Sequence, residues 1–198
     1  MIKNSLHKTI ALALLIVANP TASLFAKLEQ KNAPITVEFV TGGALEEEKA
    51  VFTRSFKDAY KDIPLDVLKV ESLDAFLQAA FEDEPLDLNN PNKKVVCAVA
   101  KSEETLVGVI FFEPTERENE VYIRQMAVDP SMQRKGVGQL LMATIQTTLP
   151  TTTRLIVATR KVNKPACNFY QKIGFKQCEQ VPHGLNPERY VGFEKDIR

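Results

Sequence analysis

Glu120–Gln139 reads EVYIRQMAVDPSMQRKGVGQ. Its first nine residues read as a strand, Asp129-Pro130 turns the chain, and Gln133-Arg134-Lys135-Gly136-Val137-Gly138-Gln139 opens an amphipathic helix. Gly136 and Gly138 let a ligand reach main chain that a Cβ would hold off. The helix start offers free N–H groups and the positive end of its dipole, and Arg134 and Lys135 add formal charge. Together these features make a site for a phosphate or diphosphate. A lone Gly-x-Gly also serves as a plain strand-to-helix turn, so the surrounding sequence has to decide.

Downstream, Val137, Leu140, Leu141, Ile145 and Leu149 recur on one side of the helix, which Pro150 ends. Leu155–Thr159 is a strand, and Pro165–Ile173 a short helix with proline near its start and Gly174 as its stop. Phe175–Cys178 and Tyr190–Lys195 form a last strand pair. Upstream, Val95–Ala100 and Leu106–Phe112 are almost wholly apolar, as strands covered on both faces are. Before them come a strand at Ile35–Val40, a helix at Leu45–Tyr60 led by Glu46, Glu47 and Glu48, and a helix at Ser72–Glu82 with Ser72 as N-cap. Pro64 separates the two helices, and Pro85–Asn92 is a polar loop. The order β-α-α-β-β-β-α-β-α-β-β implies a mixed α/β sheet with helical layers.

Two blocks carry a family resemblance. Met126-Ala127-Val128-Asp129-Pro130 followed by Gln133-x-x-Gly136-x-Gly138 resembles the acyl-CoA-binding motif of the GNAT superfamily of N-acetyltransferases. Asn163-x-x-Ala166-x-x-Phe169-Tyr170-x-x-x-Gly174-Phe175 resembles that superfamily's downstream motif. The element order agrees over about residues 35–195, although the first third carries no motif. The resemblance implies a mostly antiparallel sheet splayed between its fourth and fifth strands. Acetyl-CoA enters the gap as cosubstrate. Its pantetheine pairs with the main chain of Met126, Ala127 and Val128, as a peptide adds to a sheet edge. Its diphosphate meets the amides from Gln133 and Arg134 through Lys135, Gly136, Val137 and Gly138 to Gln139. Asn163 and Asn168 are implied contacts to the cofactor arm, and Asn163 has a rival role as helix cap.

Acetyl transfer needs a deprotonated amine, a polarised thioester carbonyl and a proton for the leaving thiolate. The resemblance places Tyr170 beside the sulfur, where a neutral phenol donates that proton; the rival reading packs it with Phe169. The Val128 amide is a candidate donor to the developing oxyanion. Glu120, which shares a strand face with Tyr122, is the candidate base, with Glu113 and a water chain as alternatives. Cys167 reads as an inert thiol rather than an acyl-accepting nucleophile, and His183 as a loop residue. No Cys/His cluster has metal-ligand spacing. The acceptor is a small-molecule or protein amine, for which Asp58, Asp62, Asp66, Glu82 and Glu84 offer negative charge. An exported, non-catalytic domain binding a nucleotide-like or protein ligand is the alternative function.

The 198 residues are 44% hydrophobic and 25% charged with zero formal net charge. That size suits one folded domain, and the balance gives no electrostatic footprint for nucleic acid. Lys3 and Lys8, the apolar run Ile10–Ala18 and the small residues Ala22, Ser23 and Ala26 have the three-part layout of a signal peptide, too short to span a bilayer. Residues 1–26 are therefore expected to be a leader, 27–34 a linker and 35–198 the transferase domain. Secretion or periplasmic delivery follows, with a cytoplasmic enzyme as the alternative. Removing the leader leaves 23 basic against 25 acidic residues. Cys97, Cys167 and Cys178 are too few for a disulfide framework, although a Cys167–Cys178 bridge stays open. Monomer and homodimer are equally compatible with the sequence.

Overall fold

A computed structural model describes residues 34–40, 45–82, 95–178 and 181–197. The expected leader, the polar loop and Glu84 lie outside the described residues, as do the side chains of Glu82 and His183. The strands are β1 (Ile35–Val40), β2 (Val96–Ser102), β3 (Thr105–Pro114), β4 (Glu120–Val128), β5 (Arg154–Arg160), β6 (Lys176–Cys178) and β7 (Tyr190–Asp196). The helices are α1 (Glu46–Tyr60), α2 (Leu65–Leu68), α3 (Leu73–Glu82), α4 (Val137–Thr148) and α5 (Lys164–Lys172). The order matches the expected one, with the single turn α2 added after Pro64.

The seven strands form one sheet in the order β1-β2-β3-β4-β5-β7-β6. Every pair is antiparallel except β4 and β5, which run parallel. That parallel pair requires a crossover, which α4 supplies. Each face carries its own core, because alternate residues of β2 and β3 point opposite ways. Ala98, Ile110 and Phe112 pack with Val137, Leu141 and Ile145 of α4. Cys97, Val99, Val109 and Phe111 pack with Val51, Phe52, Leu77 and Phe81 of α1 and α3. This double burial explains why the β2 and β3 sequences lack alternation. At Gly108 an added Cβ would sit 2.9 Å from Val137 Cγ1, so this glycine sets how closely α4 approaches the sheet.

Candidate active site

Parting of β4 from β5 creates the site. Their register runs Glu120–Arg154, Val121–Leu155, Tyr122–Ile156 and Ile123–Val157, and then stops. Beyond it, among the described residues, β5 continues to Arg160 paired only with β7, and β4 continues to Val128 paired only with β3. A bulge coincides with the parting: Phe111 pairs with Gln125 and Phe112 with Ile123, leaving Arg124 as the extra residue. A bulge kinks and twists its strand. It also switches the faces of β4, since Val121 and Ile123 lie in the α4-side core and Ala127 in the opposite one.

The gap exposes main chain. Asp129 N–H donates to the Val107 carbonyl on the β3 side. By alternation, the amide groups of Ala127 face β3 and those of Met126 and Val128 face the gap. One acceptor there is already used: Gln133 Nε2 donates to the Val128 carbonyl at 3.3 Å.

The strand leads through one turn at Pro130–Met132 into the glycine loop. Asp129 holds that turn. Its carboxylate accepts from Ser131 N–H at 3.1 Å, Ser131 Oγ at 2.7 Å and Arg54 Nε of α1 at 2.9 Å. Burial pushes the Asp129 carboxyl up, but these donors outweigh it and hold the group below the ordinary range. Arg134 (φ 60) and Gly136 (φ 88) take left-handed conformations, which turn successive N–H groups to one side. From Arg134 to Gln139 no backbone N–H meets an acceptor among the described residues. Arg134 and Lys135 are exposed beside them. Six free donors, two cations and a twelve-residue helix fit a diphosphate, and the unpaired strand edge fits an extended amide-bearing chain.

Tyr170 is buried and ringed by Phe169 and Phe175, each at 5.4 Å between centroids, and Phe193 at 5.9 Å. Burial, then the neighbouring Tyr122 and Cys167, push its phenol well above the usual tyrosine range. It is neutral at physiological pH. Both expected features thus coexist, aromatic packing and a protonated hydroxyl that feels the neighbouring Tyr122 of β4. Gly138 abuts the same cluster: a Cβ there would lie 3.1 Å from Phe169.

Other expected residues fall elsewhere. Glu120 begins β4, eight residues before Val128 and roughly 25 Å from it at the rise of an extended strand. It is buried, accepts from Thr115 Oγ1 at 2.9 Å, and pairs with Arg154 at 3.4 Å and Arg117 at 3.9 Å. Glu113 pairs with Arg124 and stands opposite Tyr122, also below the vertex. Both carboxylates are thus tied to cations. Asn163 caps α5, its Oδ1 accepting from Ala166 N–H at 3.2 Å, and its amide reaches Tyr60. Asn168 is exposed on α5. The three cysteines are free thiols, and burial pushes Cys167 up, away from the reactive thiolate. Asp58 pairs with Lys61 at 3.0 Å, and Asp62 and Asp66 are exposed.

Sequence reasoning missed Gln125, Arg160 and Tyr60, all on the α1–α3 side of the gap. Arg160 ends an apolar strand, where a charge ordinarily reaches solvent, yet it is 5% exposed. The loss of apolar alternation after Ile123 was the one signal of the bulge that turns Gln125 inward.

The acetyltransferase (GNAT) family model matches residues 55–175, more than half of the chain. No curated protein matches the sequence. Among solved structures, the chain resembles the PaiA N-acetyltransferase of Thermoplasma acidophilum in complex with coenzyme A. The TM-score is 0.64 at 19% identity, over 82% of this chain and 99% of that one. A GNAT-family acetyltransferase of Staphylococcus aureus Mu50 gives 0.58 at 14% identity, over 82% and 100%. The ribosomal-protein-S18-alanine N-acetyltransferase of Escherichia coli gives 0.54 at 15% identity, over 83% and 94%. At such identities the structures speak for the fold alone, and the match over residues 55–175 speaks for kinship: the chain belongs to the GNAT family of acetyltransferases.

Proposed function

We propose that the protein transfers an acetyl group from acetyl-CoA to a primary amine by direct attack within a ternary complex. The observation that carries this reading is the continuity of the parted β4 edge with the free amides of Arg134–Gln139. When bound, acetyl-CoA supplies the activated acetyl group and takes away the thiol. The main chain of Met126 and Val128 aligns the cofactor arm, and the amides from Arg134 to Gln139, with Arg134 and Lys135, neutralise its diphosphate. The Val128 N–H, already oriented into the gap, stabilises negative charge on the acetyl oxygen. Tyr170 holds its proton at the phenol oxygen and donates it toward the departing sulfur. With so high a pKa, it acts more by hydrogen bonding than by full proton transfer. Glu120 and Glu113 are left as structural ion-pair partners, so the amine proton leaves through water. Asn163 acts as cap rather than cofactor ligand, and Asn168 remains a proposed rim contact. Cys167 plays no covalent part. The leader of residues 1–26 is proposed to direct export, which sequencing the N-terminus of the mature chain tests.

Calorimetric titration with acetyl-CoA, followed by thiol release with a panel of primary amines, tests the function. Saturable binding with amine-dependent thiol release is expected. Tight binding without turnover on any amine would favour a non-catalytic domain, and no binding would remove the site.

A further inference from the structure

We propose that the acceptor amine carries a carboxylate, gripped by the Arg160 guanidinium, while Gln125 Oε1 accepts a hydrogen bond from the amine nitrogen. This deepens the acetyltransferase reading and rests on it.

Among the described residues, two buried side-chain polar atoms have no hydrogen-bond partner, Gln125 Oε1 and Arg160 Nη1. Native proteins leave few such atoms, and each calls for a physical account. These two stand on opposite strands just beyond the parting of β4 and β5. Ile123 and Val157 are the last paired residues of β4 and β5; Gln125 lies two residues beyond on one lip, and Arg160 three residues beyond on the other. Both side chains rise toward α3. Gln125 Nε2 donates to the Ala80 carbonyl at 2.6 Å, and the Arg160 guanidinium carbon lies 4.7 Å from the Phe76 ring centroid. Phe76 and Ala80 are one helical turn apart, about 6 Å along the axis. A single turn of α3 therefore touches both side chains, the one with an orphan acceptor at one end and the one with an orphan donor at the other.

Arg160 is the more demanding of the two. It is 95% buried and pairs with no carboxylate among the described residues. Its Nη2 donates to the Leu68 carbonyl, and the Phe76 and Tyr190 rings (4.7 and 5.9 Å) fix its plane. Tyr60 and Asn163, the polar neighbours on the same side, are uncharged: burial pushes the Tyr60 phenol up to about 12. A desolvated cation held rigid without a counter-ion is half of a charge pair. A partner that brings a carboxylate fits it, whereas a diamine would bring like charge against it. The opposite polarity of the second orphan supplies a place for the nitrogen.

The test uses the full chain with acetyl-CoA and matched amines: glycine, β-alanine, L-alanine, L-phenylalanine and L-glutamate, each against its primary amide. The best free acid is expected to exceed its amide in kcat/KM by about tenfold or more, the scale of one charged hydrogen bond. Arg160→Met should bring that ratio to within about threefold of unity with acetyl-CoA affinity retained. Arg160→Lys, which keeps charge and stem should the methionine variant not fold, should lower the ratio at least threefold without inverting it (roughly, on the same scale). A parallel arm needs no turnover: N-acetyl amino acids and their amides are titrated into the coenzyme A-saturated protein, with the same order expected. Equal or better use of the amides, equal or absent binding of the two product series, or a preference unchanged by both variants would overturn the proposal. Failure of acetyl-CoA itself to bind would instead sink the acetyltransferase reading, and this inference with it.

Discussion

Replacing Gly136 by alanine and by aspartate separates backbone strain from charge at the diphosphate site. Gly136 has φ 88, and an L-residue in the left-handed region costs about 1–2 kcal/mol. In a chain of this size each kcal/mol lowers Tm by about 2–4 °C, so Gly136→Ala should melt about 2–8 °C below the natural protein. Gly136→Asp should be no less stable than the alanine variant. Aspartate tolerates positive φ better, and a carboxylate at the start of α4 gains about 0.3–1 kcal/mol from the helix dipole. Binding should separate the two in the other direction. A carboxylate about 5 Å from one phosphate charge, at an effective dielectric of about 20, costs about 3 kcal/mol, and solvent screening leaves about 2. Calorimetry with coenzyme A should therefore give Gly136→Asp a Kd at least about 30-fold weaker than Gly136→Ala. The difference should shrink as salt rises from about 50 mM to about 1 M. Affinities within about threefold of each other would refute a diphosphate at this helix start, however either variant melts.

Tyr170→Phe keeps the aromatic packing and removes the proton donor. It should lower kcat about tenfold to hundredfold with the acetyl-CoA KM within about threefold, and a natural kcat would return Tyr170 to packing alone. Glu120→Gln should cost about 1–3 kcal/mol in denaturant unfolding by weakening the Thr115 and Arg154 contacts, while turnover stays within about threefold; a large loss of kcat with stability intact would restore Glu120 as base. Tyr60 and Tyr170 are raised by burial, so each binds its proton more tightly folded than unfolded. The stability they contribute is whole below about pH 10 and is lost as pH climbs from there through their folded values. Ultraviolet titration should show part of the tyrosinate absorbance of the four tyrosines appearing only with unfolding, and complete ionisation near pH 10 in folded protein would contradict the burial.

Most element boundaries were legible because local chemistry sets them. Pro150 ends α4, Gly174 (φ 92) ends α5, and the apolar runs of β2 and β3 report two covered faces. The glycine loop was equally plain, since its conformation and its charge are written within six residues. The acceptor side was not. The β4 bulge depends on pairing with β3, and the inward turn of Gln125 follows from that bulge. Burial of Arg160 depends on Phe76, Leu68 and Tyr190, which are distant in sequence and brought together only by the packing of α2, α3 and β7. The ion pairs of Glu120 were hidden for the same reason: a shared strand face gives side-chain direction, but says nothing of which end of the strand lies at the gap.

The most direct test is an amide proton–nitrogen NMR spectrum of the full chain recorded with and without coenzyme A. The largest shift changes are expected at Val128 and Met126 on the β4 edge and across Arg134–Gln139, with Glu120 and its Arg154 partner unmoved. Saturating coenzyme A that leaves those amides in place, or that moves residues on another face, would contradict a cofactor seated between β4 and β5.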